Sequence, residues 1–547
     1  MSSFFQDAPG TPDLFTDDHA LKSELARRLP TEILARVTPK LERMGRHTAT
    51  TLPPLVRAAE AEPPVHVPYD PWGRRVDEIR VSRAWETLKE FSATEGIVAT
   101  GYDASLGEHS RVAQAALLHL FAASSATFSC PLAMTDAAAR VLLDLAPRSL
   151  RDRLAPRLIT TDPAKFITSG QWMTERTGGS DVGPTSTFAR PIARRGEENR
   201  YTLHGVKWFT SATTSEMALT LARVDDGNTL VEGSRGLSLF AVEVDRIPGG
   251  ALRGIQVNRL KDKLGTWALP TAELTLDGVE ATRIGEQGRG VASITPMLSI
   301  TRFYNAVCAV SGMSHATALA FDYADRRVAF GKKLREQPLH AETLAEMRAE
   351  VSAALALVME IAALMGRAEQ GIATADEKQR LRGLIPIAKL TTGKQAVSIA
   401  SEALEAFGGA GYVEDTGLPR LLRDAQVLTI WEGTTNVLSL DLLRAEAKDG
   451  ALTAILTDLS ARAEALPSTI PPRAATAMRA TLGRLVTRLT ALAKDPQGGI
   501  ERDARRVALT TGHLVEAFCL ADRAAKDDLA AADLTRFTRA KLSAPLD

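Results

Sequence analysis

Cysteine is scarce: Cys130, Cys308 and Cys519 are the only three in 547 residues and lie far apart. That spacing builds neither a disulfide framework nor a zinc cluster, so a reducing, cytoplasmic setting is the expectation. Surplus charge of either sign is missing too, because 66 basic residues are matched by 66 acidic ones. No global field draws the chain toward nucleic acid or an anionic membrane, and any such affinity must reside in a local patch. No apolar run is read as approaching the ~18 residues that cross a bilayer, and no membrane association is expected. The opening MSSFFQDAPGTPDLFTDD lacks the basic and apolar regions of a secretory leader. Nine histidines fall into no H-E-x-x-H spacing, and neither C-x-x-C nor G-x-S-x-G occurs. A metal or serine hydrolase therefore has no footing, and no metal site is expected.

What is present points to several domains, since one domain commonly takes roughly 100–200 residues. Residues 1–70 read as a Pro-rich, charged N-terminal arm with a short helix around Glu24–Leu34, and AEAEPPVHVPYDPWGRR as extended chain. Residues 71–166 are rich in Ala and Leu and read as a helical domain. Alternation then appears in Tyr201–His204, Leu219–Ala222 and Leu237–Val242, which places an antiparallel β-domain over 167–285. Helical period returns over 286–445. There Leu344, Met347, Val351, Leu355, Val358, Ala362 and Met365 form one apolar stripe, with Gly366 as its expected C-terminal cap. Residues 446–547 read as a further helical domain hinged at PSTIPPR. This succession makes the chain α+β and multidomain, and argues against alternating βαβ units. Gly285-Glu-Gln-Gly-Arg-Gly290 accordingly reads as a turn into the next helix rather than a dinucleotide loop.

Three segments carry chemistry. Met173-Thr-Glu-Arg-Thr-Gly-Gly-Ser-Asp-Val182 combines small residues, which admit close backbone approach, with hydroxyls that donate to a polar ring edge or a phosphate. Taken alone it reads more readily as a polar, Gly-rich loop with no ligand. Gly205-Val-Lys-Trp-Phe-Thr-Ser211 sets aromatics beside hydroxyls, which suits a flat heterocycle but also suits an ordinary core strand. Phe407-Gly-Gly-Ala-Gly-Tyr412 is followed by an apolar run closing on Trp431-Glu-Gly-Thr-Thr-Asn436. A carboxylate such as Glu432 in partly apolar surroundings suits proton abstraction near neutral pH.

In this order, with Arg327-Val-Ala-Phe330-Gly331 between them, these segments closely resemble the acyl-CoA dehydrogenase superfamily over about 72–444. The long N-terminal arm, the added C-terminal domain and phrases such as RLKDKLG and LPRLLRD resemble its AidB-type adaptive-response flavoproteins. The resemblance implies a helical domain, a central antiparallel β-barrel or sandwich and a helical bundle, joined here by the extra helical domain. It implies FAD, contacted by Met173, Thr174 and Ser180 in the loop and by Phe209, Thr210 and Ser211 in the strand. Arg327 and Phe330 would serve a neighbouring subunit's FAD in a homotetramer, and Gly433 and Asn436 would lie near the flavin. Glu432 would be the base for α,β-dehydrogenation of an acyl-CoA, with an electron-transfer flavoprotein as a candidate acceptor. Thr301, the other position where relatives keep that glutamate, cannot act as a carboxylate.

The AidB-type resemblance also carries an alternative, a DNA-associated flavoprotein of the alkylation-damage response with weak or vestigial dehydrogenase activity. From Glu446 to Asp547 there are 15 Lys and Arg against 13 Asp and Glu. A surplus of two supports only weak, non-specific DNA binding, through Arg484 and Arg488 and through the cluster Arg502, Arg505 and Arg506.

Overall fold

A computed structural model describes residues 7–192, 199–227, 231–248, 250–495 and 499–543. The first six residues of the expected arm and the last four of the expected C-terminal domain lie outside them. The chain divides into two compact units, one of Pro54–Tyr102 and Ser125–Thr301, the other of Met1–Pro53, Asp103–Ser124 and Arg302–Asp547.

The first of these units is built on a seven-stranded sheet. Its long members, Arg200–Ser211 and Thr271–Ile284, pair antiparallel along most of their length. Thr271–Ile284 also pairs with Leu237–Glu243, which pairs with Met217–Val224. Phe188–Pro191 then bridges Met217–Val224 back to Arg200–Ser211, closing the ring. Most pairings are antiparallel, as the alternation implied. Two are parallel: Ser169–Trp172 and Phe188–Ala189 each run alongside Met217–Val224, reached through long connections rather than tight turns. Inside, Trp172, Tyr201, Leu203, Phe240, Val257 and Leu274 are buried, and the rings of Tyr201 and Phe240 meet edge to face at 5.2 Å. Gly285 and Gly288 are left-handed (φ 68° and 76°) and turn the chain into the helix Gly290–Arg326, as read from the sequence.

The second unit is helical among its described residues, apart from one short hairpin. Three sequence expectations are corrected. The single helix expected around Glu24–Leu34 is two, His19–Arg28 and Thr31–Ala49. Pro30 forces the residue before it, Leu29, into extended conformation (φ −105°, ψ 134°), which ends the first helix. Gly366 is no cap, because the helix Pro338–Glu369 runs through it. A Cβ there would stand 1.9 Å from the Glu108 carbonyl, so the glycine admits a close backbone crossing. This helix is also long and apolar enough to cross a bilayer by length and composition, contrary to the reading of apolar runs, but most of it is buried inside the protein. In the first unit, the extended chain ending the arm is paired as a β-ribbon, Val65–Tyr69 with Arg75–Arg80.

The helices beyond 446 pack on the bundle. Gly512 of Gly499–Ala524 lies against the helix Ala375–Ala406 so closely that a Cβ would meet Thr391 Oγ1 at 2.2 Å. One turn on, Gln395 Nε2 donates to the fully buried Glu516 Oε2 at 3.2 Å. Burial, with Glu350 nearby, pushes the Glu516 carboxyl well up.

Candidate active site

The predicted residues fall into three groups. The first begins where Ser169–Trp172 ends. Met173 and Thr174 are half-buried and Ser180 is exposed. The loop folds back on itself through a bridge between Glu175 and Gly178, and it joins the long strand where the Trp208 N–H donates to Thr174 O at 2.9 Å.

Beneath this junction lies an ion pair. Lys207 Nζ donates to Glu175 Oε1 at 2.9 Å, with side chains 0% and 3% exposed. Glu175 Oε1 also accepts from the Thr187 hydroxyl at 2.5 Å and the Thr187 N–H at 3.2 Å. Its Oε2 accepts from the Ser186 N–H at 2.7 Å and hydroxyl at 2.8 Å. Burial raises the Glu175 carboxyl, but Lys207 and these donors outweigh it and hold it at about 2. A fully bonded pair of this kind locks the loop to the strand.

Strand alternation then sorts the next three residues. Thr210 is buried and donates its hydroxyl to Ala272 O at 2.8 Å. Phe209, 54% exposed, points the other way. Ser211 is half-buried, its hydroxyl 3.2 Å from that of Thr271. Lys261 Nζ stands 3.7 Å from the Trp208 ring centroid and 4.7 Å from that of Phe209. Gly179 packs so tightly on Thr174 that a Cβ would lie 2.5 Å from its hydroxyl. An open aromatic face, neighbouring hydroxyls and a loop that needs glycine fit a flat, hydrogen-bonding cofactor such as FAD.

The second group is the turn between the helices Pro419–Val427 and Thr435–Asp449, with Glu432 and Gly433 in the turn and Asn436 in the first turn of the second helix. Glu432 is left-handed at φ 56° and Gly433 follows at φ 106°. For a non-glycine residue that conformation costs roughly 1–2 kcal/mol, so the surroundings must hold it. Arg302 Nε donates to Glu432 O at 3.2 Å, and Lys389 Nζ donates to Gly433 O at 2.6 Å. Asp441 accepts from Arg302 Nη1 and from Arg382 Nη2, both at 2.8 Å. Lys389 is 1% exposed. Burial pulls its ammonium down, the Glu432 carboxylate opposes, Arg302 adds to the fall, and the result is about 7. Asn305 fixes the apolar side of the turn, accepting from Trp431 Nε1 and donating to Leu428 O. Asn436 Oδ1 accepts from Arg505 of the C-terminal helices at 3.4 Å.

The third group is Arg327 and Phe330, on the hairpin that follows Gly290–Arg326. Arg327 is half-buried, while Phe330, at the tip, is fully exposed with φ 52°.

The sequence reading passed over Glu175, Lys207 and Lys389. The signals were present: Glu175 and Lys207 sit inside the two quoted motifs, and Lys389 is a lone charge in Leu384–Leu390, where an apolar helix seldom keeps an unpaired one. The arginines read as a DNA patch are largely engaged within the protein. Arg488 pairs with Asp503 at 2.7 Å and Arg502 with Asp495 at 3.4 Å, and Arg484 donates to Leu542 O at 3.1 Å. No cluster of metal-ligating side chains occurs among the described residues.

Comparison with known proteins agrees with this layout. Residues 7–162 match the "Adaptive response protein AidB N-terminal domain". Residues 170–279 match "Acyl-CoA dehydrogenase, middle domain" and 288–446 "Acyl-CoA dehydrogenase, C-terminal domain". The chain is 48% identical to "Acyl-CoA dehydrogenase family member 11" of Caenorhabditis elegans over 81% of its own length and 72% of that protein. It is 33% identical to "Putative acyl-CoA dehydrogenase AidB" of Escherichia coli over 74% and 73%. The crystal structure of Caenorhabditis elegans ACDH-11 in complex with C11-CoA superposes with a TM-score of 0.94 at 41% identity, covering 100% of this chain and 93% of that one.

Proposed function

Because the chain belongs to the acyl-CoA dehydrogenase family, whose members are FAD flavoproteins, we propose that it dehydrogenates an acyl-CoA between the α and β carbons with Glu432 as the base. The observation that carries this reading is the turn at Glu432, a carboxylate held in a left-handed conformation by two cations on consecutive carbonyls. Strained backbone of this kind clusters at active sites, which supports a chemical role for Glu432. Met173, Thr174, Ser180, Phe209 and Ser211 would hold the flavin, with Thr210 keeping the strand in register behind them. FAD held there would supply a two-electron acceptor for the β hydrogen and its electron pair. Glu432 takes the α proton, and the carbon–carbon double bond forms as both hydrogens depart. An acyl-CoA is the substrate class because the thioester acidifies that α proton, and a relative 41% identical has been crystallised with C11-CoA.

We further propose that the protein works as a homotetramer in which Arg327 reaches the FAD of a neighbouring subunit. The exposed apolar residues Val328, Phe330 and Leu339 support this, because a second copy would cover them. The test of the enzyme reading is Glu432→Gln. This variant should keep a normal flavin spectrum and lose more than the ~10²-fold typical of a general base in flavin reduction by C11-CoA. Reduction at the wild-type rate would place the base elsewhere.

A further inference from the structure

We propose that Lys389 is a positioning residue for this chemistry: its ammonium fixes the Gly433 carbonyl and, with Arg302 on the Glu432 carbonyl, aims the Glu432 carboxylate. The inference rests on the reading of Glu432 as the base. Glu432 and Gly433 are consecutive left-handed residues (φ 56° and 106°), a backbone path that nothing in the local sequence enforces at Glu432. Two side chains from distant parts of the chain grip the carbonyls of this path, at 3.2 Å for Arg302 and 2.6 Å for Lys389. Arg302 is braced by Asp441, which also holds Arg382. Lys389 is carried by the helix Ala375–Ala406 and is almost completely buried there.

A buried ammonium is a costly way to bond one carbonyl. Burial drags its proton affinity down while the Glu432 charge pulls the other way. Core packing alone would be served as well by methionine, which has similar length and no charge. What lysine adds is a directed donor at Gly433 and a positive charge within reach of Glu432. Both act on where the carboxylate stands and on how freely it moves. A displacement of about 1 Å at a reacting group costs up to ~10²-fold in rate, so small losses of aim are measurable.

The experiment uses the full-length FAD-loaded protein and C11-CoA as the probe. Lys389→Met removes the donor and the charge. Arg302→Lys keeps the charge but loses the fork that spans Glu432 O and Asp441, and it serves as the second variant if Lys389→Met fails to fold. Three quantities are read: the rate of flavin bleaching, the dissociation constant of C11-CoA, and deuterium uptake in the peptide spanning 430–436. Each variant should bleach roughly 10- to 100-fold more slowly, bind C11-CoA within about threefold of wild type, and exchange faster in 430–436. Bleaching within about threefold of wild type, a loss confined to affinity, or unchanged uptake in 430–436 would each overturn the proposal. Glu432→Gln, run alongside, separates the two readings. If it bleaches normally, the base assignment has failed, and deuterium uptake alone still decides whether Lys389 holds the turn.

Discussion

Replacing Lys207 by methionine leaves the Glu175 carboxylate in a pocket where its side chain is only 3% exposed, with no counter-charge. Breaking one partner out of a buried pair costs about 3–5 kcal/mol. Four N–H and O–H donors from Ser186 and Thr187 remain on the carboxylate, which places the loss near the lower end of that range. The Leu221 carbonyl, which accepts from Lys207 at 3.1 Å, also loses a donor. Glu175 is held at about 2 against an ordinary 4.5 by Lys207 and the Ser186 and Thr187 donors together, so its ionised form favours the folded chain. Because the folded value is depressed, this stability is present above pH 4.5 and is lost as pH falls through about 2.

The two-unit chain need not unfold in one step, so the readout should be local. Hydrogen exchange in the peptide spanning 172–188 reports the opening of the loop. Three kcal/mol corresponds to roughly a hundredfold loss of protection there, while the helix Pro338–Glu369 stays unchanged. Adding Glu175→Gln to Lys207→Met should restore part of the protection, because the stranded charge is removed. A change below fivefold in the single variant, or an equal loss throughout the chain, would refute the account of the pair as a local lock.

Gly366→Ala should destabilise the bundle by about 1–3 kcal/mol, since the new methyl meets the Glu108 carbonyl backbone, and urea unfolding followed by circular dichroism measures it. Sedimentation of the yellow protein should give a tetramer with one FAD per chain, and a monomer with full FAD occupancy would contradict the role proposed for Arg327. Any DNA affinity should be weak, indifferent to sequence and steeply salt-dependent. A triple Arg502, Arg505, Arg506→Ala variant should flatten the salt slope by about one for each phosphate it no longer neutralises.

Much of the architecture was legible because periodicity is local. Strand alternation in Tyr201–His204 reports the face its strand buries, and the stripe from Leu344 to Met365 reports a helix, although that helix is buried on every side over 351–359. Pro30 is equally visible, and its effect on Leu29 follows from steric rules, so the break between the two helices was legible in the sequence. Gly366 could not be read correctly, because a glycine that caps a helix and one that admits a crossing backbone look alike until the crossing chain is known. The same holds at the site. Glu432 announced itself through its neighbours, whereas Lys389 bonds a carbonyl 44 residues away, and only the fold brings the two together. Thr210 sat in the right motif, and strand period alone would have separated it from Phe209 and Ser211.

The packing of Gly512 on Thr391 bears on how far the chain past residue 446 behaves as a detachable module. Thr391 is two residues from Lys389, on the helix that holds the Glu432 turn, and one turn on Gln395 donates to Glu516 of the same C-terminal helix. Cutting the chain at 446 would not trim an appendage. It would strip an outer wall from this helix, exposing Ile387, Thr391 and Gln395 to water. A larger residue at Gly512 would push on the same helix from outside. The C-terminal helices are thus part of the frame against which the Glu432 turn is set, and transplanting the site into a shorter relative would require a replacement for that wall.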